Sequence, residues 1–104
     1  MYKLIFYVPQ NEAETVKNSI FNTGAGKIGN YSHCSWETSG IGQFMPLDGA
    51  NPTIGTLEKL ERVQELRVEI LCEDSNINEA VAALKRSHSY EEPAFEVLSI
   101  LNYR

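Results

Sequence analysis

All seven glycines of this 104-residue chain lie within one stretch, residues 24–55. Glycine lacks a Cβ, so its backbone can adopt conformations that other residues avoid. The sequence before and after this stretch contains no glycine and shows ordinary strand and helix patterns. Backbone freedom is therefore concentrated in one connected segment, and we expect binding or assembly to be centred there.

The first part of the chain is predicted to form a strand followed by a helix. Residues 2–8 are apolar on both alternating faces, as a central strand requires, and Pro9 ends this strand. A helix is expected to begin at Asn11, because Glu14 follows three residues later in the spacing of a capping box. Gly24 is expected to stop this helix.

The middle of the chain is predicted to form two strands joined by a loop. Residues 30–39 are rich in Tyr, Cys, Trp and Thr, which favour a strand, and a shorter extended piece follows at residues 43–45. Residues 46–55 carry turn formers and predict a loop. Residues 58–73 are interpreted mainly as a strand with a bulge near Val63, although the leucines at its start are also spaced as in a helix.

The last part of the chain repeats the helix-then-strand pattern. Asn76 and Glu79 again have capping-box spacing, and the predicted helix ends at the basic pair 85–86. Residues 88–93 predict a polar turn, and residues 94–103 predict a final strand.

The order strand, helix, strand, strand, helix, strand predicts the fold. It is an α+β, ferredoxin-like β-α-β-β-α-β sandwich, with an antiparallel sheet, both helices on one face and a long hairpin between the second and third strands. The first and third strands are then central, while the second and fourth are edges that can pair with another chain. The length predicts a single domain over residues 1–104.

Charge and cysteine content restrict the possible partners. The chain has 14 acidic and 9 basic residues, a net charge of -5, and no dense cluster of Lys and Arg, so a nucleic-acid partner is not expected. Cys34 and Cys72 are too few for a disulfide scaffold. The apolar run after Met1 is too short for a signal peptide or a membrane span, so we expect a cytoplasmic protein without a membrane partner.

The glycines at the start of the stretch match a phosphate-binding pattern in the wrong context. Gly24, Gly26 and Gly29 have the GxGxxG spacing that, in dinucleotide-binding proteins, leads from a strand into a helix. Here they follow a predicted helix and lead into a strand. A flexible connection is therefore favoured, and an anion site in which Lys27 supplies the charge is the alternative.

Two groups of residues have the chemistry of metal ligands. His33 and Cys34 are adjacent, so on a strand they would point to opposite faces, and Cys34 is interpreted as a small buried residue. His88, Glu91 and Glu92 form a better cluster, because a turn can bring three side chains together around a cation. A solvated turn is the alternative. The two histidines are expected at opposite ends of the sheet, so a site containing both needs an oligomer.

One end of the predicted sheet should gather polar side chains. The turn at residues 88–93 and the loop at residues 45–55 both fall at this end, which suits a small polar molecule or a cation. The candidate ligand-binding residues of the whole chain are Lys27, Asn30, Asp48, Asn51 and Tyr90. A catalytic set such as Ser-His-Asp is not found, so catalysis is not expected.

Edge strands with exposed aromatic residues predict a homo-oligomer. The candidates for burial in the core or in an interface are Tyr31, Trp36, Ile41, Phe44, Met45 and Phe95. The leading hypothesis is a non-catalytic domain for small-ligand sensing or assembly, with no certain cofactor. The alternative is a metal-binding protein or metal-dependent hydrolase that places a divalent ion at a subunit boundary.

The chain resembles the NIF-three-like family (NGG-one-interacting factor three) in three segments: GAGKIGNYSHCSW, GQFMPLDGANPTIG and HSYEEPAFEVL. The match is to the domain inserted in the middle of longer members, which is similar in fold to PII and CutA proteins. Those members flank it with two halves that carry a dinuclear metal centre. The resemblance implies a free-standing PII/CutA-like domain that forms a homo-oligomer, with a trimer favoured. Ser89 stands where the family's turn usually has a proline.

Overall fold

A computed structural model of the chain describes residues 1–103. Its elements in chain order are β1 (Tyr2–Pro9), α1 (Ala13–Phe21), β2 (Trp36–Phe44), β3 (Glu61–Cys72), α2 (Ile77–Ser87) and β4 (Phe95–Ser99). A short 3-10 turn, Gln10–Glu12, leads from β1 into α1. In this part of the chain, neither helix is long and apolar enough to cross a membrane.

The four strands form one antiparallel sheet in the order β2-β3-β1-β4. The predicted ferredoxin-like arrangement is confirmed, with β1 and β3 in the centre and β2 and β4 at the edges. β1 ends at Pro9, which lies opposite Glu65. The β2–β3 pairing continues past this point for four more residue pairs, from Ile41–Gln64 to Phe44–Glu61, and these form a two-stranded ribbon.

Both helices cover the same face of the sheet. Phe6 at the centre of β1 is fully buried beside Val68 of β3, and these two residues pack with Val16 of α1 and Leu84 of α2. Burying such a side chain stabilises the fold by about 1.5–3 kcal/mol. The alternating apolar pattern of the central strands therefore determines which face carries the core.

The other face of the sheet carries charged side chains. Lys3 Nζ lies 3.1 Å from Glu69 Oε1, and Arg67 Nε lies 3.3 Å from Glu69 Oε2. At the edge of the sheet, Lys17 of α1 donates to Glu37 of β2 at 2.9 Å. This last ion pair links a helix to an edge strand that otherwise has few contacts with the core.

The predicted bounds of the second strand are wrong. The prediction placed a strand at residues 30–39 and a break at Gly40, whereas β2 begins at Trp36 and runs without interruption through Gly40 and Gly42. Glycine disfavours strands because it has no side chain to pack, but β2 is an edge strand with little packing to lose. The two glycines therefore remain within the strand.

Residues 22–35 form a compact connection instead of the start of a strand. The backbones of Ile28 and Tyr31 exchange two hydrogen bonds of 2.9 Å, and Cys34 N–H donates to the Gly26 carbonyl at 2.9 Å. Gly26 has φ of 81°, and a Cβ there would lie 2.7 Å from the Phe21 ring. Glycine is required at this position because both its backbone conformation and the available space exclude other residues.

The remaining corrections concern β3, β4 and the helix starts. The bulge at Val63 is absent, residues 57–60 are not helical, and β4 ends at Ser99 rather than at residue 103. Neither helix start has a side-chain cap: Asn11 lies in the 3-10 turn and Asn76 precedes α2 without a side-chain bond. Capping-box spacing alone does not form the box when the preceding chain enters the helix through a turn.

Candidate ligand-binding cleft

A cleft of about 990 Å³ lies where β1 ends. One wall is formed by the end of β2 and the loop that follows, and the other by the turn after α2. The side chains that matter for its chemistry are Tyr7, Phe44, Leu47, Asp48, Glu65, Tyr90 and Glu91. This volume is in the range of small-molecule sites in proteins.

Two hydrogen bonds hold the walls of the cleft together. The backbone N–H of Asn51 donates to Glu91 Oε1 at 3.2 Å, and the Thr53 hydroxyl donates to the Ser89 carbonyl at 2.7 Å. The structure thus brings the 45–55 loop and the 88–93 turn to the same end of the sheet, as the sequence indicated. Asp48 and Glu92 line the same cleft.

Glu65 is the residue that the sequence interpretation missed. It lies on β3, is only 8% exposed, and its Oε2 accepts a hydrogen bond of 2.7 Å from the Tyr90 hydroxyl. Charged residues are almost never buried without a partner. The pattern of β3 gave no signal for this burial, because a glutamate on the face opposite the helices is expected in solvent.

Gly42 of β2 explains how Glu65 is buried, and the nearby Gly40 provides the contrast. Gly40 lies directly opposite Glu65 in the β2–β3 register, and the Glu65 carboxylate lies against Gly42 on the same face. A Cβ at Gly42 would overlap this carboxylate, whereas a Cβ at Gly40 would meet nothing within 4 Å. Gly42 therefore provides the space that the carboxylate occupies.

Tyr90 connects the turn after α2 to the cleft floor. Its ring centroid lies 6.1 Å from that of Phe44 and 4.8 Å from that of His88, both at tilted angles. Burial raises the pKa of Tyr90, and the hydrogen bond to Glu65 and the negative charge of that residue raise it further. The phenol therefore stays protonated and remains a hydrogen-bond donor at physiological pH.

His88 is a buried structural residue in this chain. It is 5% exposed, its Nε2 lies 2.7 Å from the Tyr7 carbonyl, and its Nδ1 lies 3.1 Å from the Tyr90 backbone nitrogen. A carbonyl only accepts and a backbone N–H only donates, so the proton is assigned to Nε2 of a neutral ring. The alternative of a solvated turn is wrong at His88. A metal bound there would displace one of these hydrogen bonds.

The other predicted ligands lie at the opposite end of β2. Lys27, Asn30 and His33 are exposed in the connection between α1 and β2, away from the cleft. His33 has φ of 58°, and its ring centroid lies 5.0 Å from that of Phe21. Cys34 is half-buried rather than a core residue. Within residues 1–103, no group of three or more His, Cys, Asp or Glu side chains is arranged to hold a metal ion.

The predicted interface residues divide into two groups in the single chain. Tyr31, Trp36, Ile41 and Met45 are between 47% and 75% exposed. Phe44 and Phe95 are half-buried, and Phe95 packs against the core with Lys85 Nζ 5.6 Å from its ring centroid. The first group remains largely exposed in one copy of the chain.

The sheet order and the two helices on one face define the class, a ferredoxin-like α+β domain. The periplasmic divalent cation tolerance protein CutA of Archaeoglobus fulgidus superposes with a TM-score of 0.70 at 18% identity, over 98% of this chain and 86% of its own. CutA1 of Pyrococcus horikoshii superposes with a TM-score of 0.71 at 15% identity, over 100% of this chain and 87% of its own. At these identities the likeness shows the fold alone.

Closer similarity identifies the chain as a relative of one domain of NIF-three-like proteins. A Bacillus cereus protein related to NIF3 has a TM-score of 0.83 at 37% identity, over 97% of this chain and 26% of that one. The "GTP cyclohydrolase 1 type 2 homolog" of Mycobacterium bovis is 46% identical over 99 residues, which is 95% of this chain and 26% of the relative. The protein of the same name in Bacillus subtilis is 44% identical over 98 residues, which is 94% of this chain and 26% of the relative.

These matches confirm the resemblance predicted from the three sequence segments. The chain spans about a quarter of the length of the relatives it matches. No protein-family model matches it. The shared part is the ferredoxin-like domain, so the remaining three quarters of those relatives have no counterpart in this sequence.

Proposed function

We propose that this domain is a non-catalytic assembly and small-ligand-sensing module that acts as a homo-oligomer, with a trimer as the favoured state. One observation carries the proposal: β2 is exposed along its length and pairs with β3 on one side only. Unpaired N–H and C=O groups on an edge strand are a template for pairing with another chain.

The side chains beside this edge support the same proposal. The largest exposed apolar residues of β2 and the loop that follows are Trp36, Ile41, Met45, Leu47, Leu57 and Leu60. Exposed apolar residues on an edge strand and its loop are candidates for burial against a partner. A second copy that covered several of them would gain about 1.5–3 kcal/mol for each fully buried side chain.

Sedimentation velocity of the purified, untagged chain tests the assembly. A single species with the mass of three chains, at concentrations well above micromolar, is the expected result. A clean monomer under these conditions contradicts the proposal. A dimer supports assembly through an edge but rejects the trimer.

A metal site across a subunit boundary is the second candidate. Glu91 and Glu92 are exposed at the cleft and His33 is exposed at the far end of β2, so these side chains are available to a neighbouring copy. Metal analysis of the purified protein, with melting curves in added zinc, copper or manganese, tests this candidate. An absence of stoichiometric metal together with unchanged melting would reject it.

The printed name of the relatives suggests a further activity, which we do not assign to this domain. The chain spans about a quarter of those proteins, and its described residues offer no three-ligand metal group. We propose that any cyclohydrolase chemistry of the relatives requires their other parts. Incubation of the purified chain with GTP, followed by chromatography of the nucleotide, should show no consumption.

A further inference from the structure

The charges in the cleft all have one sign. Four carboxyl groups line it, from Asp48, Glu65, Glu91 and Glu92, and the lining residues include no Lys, Arg or His. A concave site lined with one sign of charge attracts ligands of the opposite sign. The chemistry of the walls therefore favours a cation over an anion such as a nucleotide phosphate.

Glu65 is the central group because its carboxylate is largely buried but opens into the cleft at one oxygen. Its Oε2 accepts the hydrogen bond from Tyr90. No buried side-chain oxygen of the described residues lacks a hydrogen-bond partner, so Oε1, which accepts no bond from this chain, reaches the solvent of the cleft. The basic side chains on neighbouring strand positions are engaged elsewhere: Arg67 pairs with Glu69, and Arg62 donates to Gln43. A buried carboxylate is normally paired with a cation or held by several donors.

The remainder of the cleft is apolar. Phe44, Met45, Leu47 and Ile54 line it beside the carboxyl groups. Small-molecule sites typically combine such walls with a few polar groups that fix the orientation of the ligand. A bare metal ion needs several oxygen ligands around it and gains nothing from apolar walls.

We propose that the cleft binds an organic cation, whose ammonium or amidinium group lies at Glu65 Oε1 and whose apolar body packs against Phe44 and Leu47. This inference rests on the proposed small-ligand site and names its ligand class. Glu65 supplies the charge, and Tyr90 keeps the carboxylate in place through the other oxygen. Gly42 leaves the carboxylate accessible by providing no side chain of its own.

Nuclear magnetic resonance titration with three probes of similar shape tests the proposal. The probes are phenethylammonium, neutral 2-phenylethanol and anionic 3-phenylpropionate, added to the isotope-labelled full chain. We expect phenethylammonium to shift amide signals of the cleft, such as those of Gly42, Gly49 and Tyr90. Its affinity should be at least about ten times higher than that of either of the other two probes, which corresponds to one charge-assisted contact.

Two variants locate the charge that is responsible. Glu65→Gln keeps the size of the side chain and an acceptor for Tyr90, and it should weaken phenethylammonium binding by about tenfold or more. Glu73→Gln removes an exposed acid outside the cleft and should leave binding unchanged. The comparison of the three probes uses the natural sequence, so the test stands even if Glu65→Gln does not fold.

The outcomes separate this inference from the proposed function. Equal binding of the three probes, no binding, or cation binding that ignores Glu65→Gln overturns the inference. Displacement of the probe by magnesium, with the same set of shifted signals, also overturns it in favour of an inorganic ion. Sedimentation of the same samples reports on assembly independently, so a trimer that binds no cation contradicts only the inference.

Discussion

The hydroxyl of Tyr90 donates a hydrogen bond of 2.7 Å to Oε2 of Glu65, and this bond joins the turn after α2 to the central strand β3. The two residues are separated by 25 positions in sequence, and the bond forms at the floor of the cleft. It is the polar contact on which the candidate site is built.

Tyr90→Phe should destabilise the fold while leaving the backbone unchanged. The variant removes the donor and leaves the Glu65 carboxylate buried without its partner, so we expect a loss of about 1–3 kcal/mol in the free energy of unfolding. Urea denaturation measures this loss. Tyr31→Phe removes a hydroxyl from an exposed ring and should change stability by less than about 0.5 kcal/mol. Equal effects of the two variants would contradict the role assigned to Tyr90.

The same hydroxyl predicts a pH dependence of stability. The pKa of Tyr90 is raised in the folded chain, first by burial and then by Glu65, whereas an unfolded tyrosine titrates near pH 10. The unfolded state therefore loses this proton first as the pH rises. The contribution of Tyr90 to the free energy of unfolding is therefore fully present below about pH 10. Above that pH it falls by up to about 1.4 kcal/mol per pH unit.

Tyr90→Phe isolates this contribution because the other titrating groups are common to both proteins. The stability difference between the natural chain and the variant should be constant below about pH 10 and should shrink above it. Urea unfolding over a series of alkaline pH values measures this difference. A difference that stays constant across the series would show that Tyr90 has the same pKa in both states.

His88→Ala should be more destabilising than His33→Ala. The first variant removes a buried ring and leaves the Tyr7 carbonyl and the Tyr90 N–H without partners, so a loss of about 2–3 kcal/mol is expected. His33 is exposed, and its removal should cost less than about 1 kcal/mol. Nitrogen chemical shifts of the natural chain should show the proton of His88 on Nε2. A proton on Nδ1 would contradict the hydrogen-bond assignment.

Gly42→Ala and Gly40→Ala form a matched pair on one face of β2. A Cβ at Gly42 would overlap the Glu65 carboxylate, so this variant should lose about 1–3 kcal/mol of stability. Gly40 has open space around the same position, and its replacement should be neutral or should stabilise by about 0.4–1 kcal/mol. Thermal unfolding of the two variants is sufficient for the comparison. The packing around Glu65 is incorrect if they behave alike.

Ile41→Lys should weaken the proposed oligomer without unfolding the chain. Ile41 is 57% exposed in a single copy, so a lysine there should cost little folding stability, but it places a charge in the middle of the exposed edge strand. Sedimentation should show a shift towards the monomer. Ala82→Lys, on the exposed side of α2, is the control and should assemble as the natural chain does. An unchanged oligomer in Ile41→Lys would move the interface away from β2.

The sequence was sufficient for the fold because the core is encoded by local patterns. Leu4, Phe6 and Val8 alternate on β1, and the apolar stripe of α2 repeats with helical spacing, so sheet order and buried face follow from them. The start of β2 was misplaced because Tyr31 and Cys34 favour strands, while the hydrogen bonds that Gly26 makes across the connection give no local signal.

The candidate cleft was only partly predictable. The meeting of the 45–55 loop with the 88–93 turn follows from the topology, and so does the placement of Asp48 and Glu91 along the same cleft. The burial of Glu65 depends on Gly42 in a neighbouring strand and on Tyr90 in a distant turn. Contacts of this kind have no periodicity, although Gly-x-Gly within a strand indicates a place where another group approaches the backbone closely.

The ribbon that β2 and β3 form beyond the end of β1 has a kinetic consequence. Its four pairs, from Ile41–Gln64 to Phe44–Glu61, have no third strand beside them, so the free energy needed to open them locally is lower than that of the core. Amide protons of the ribbon should exchange with solvent sooner than those of Phe6 or Val68. Since the ribbon also forms a wall of the cleft, its local opening would change the shape of the proposed ligand site.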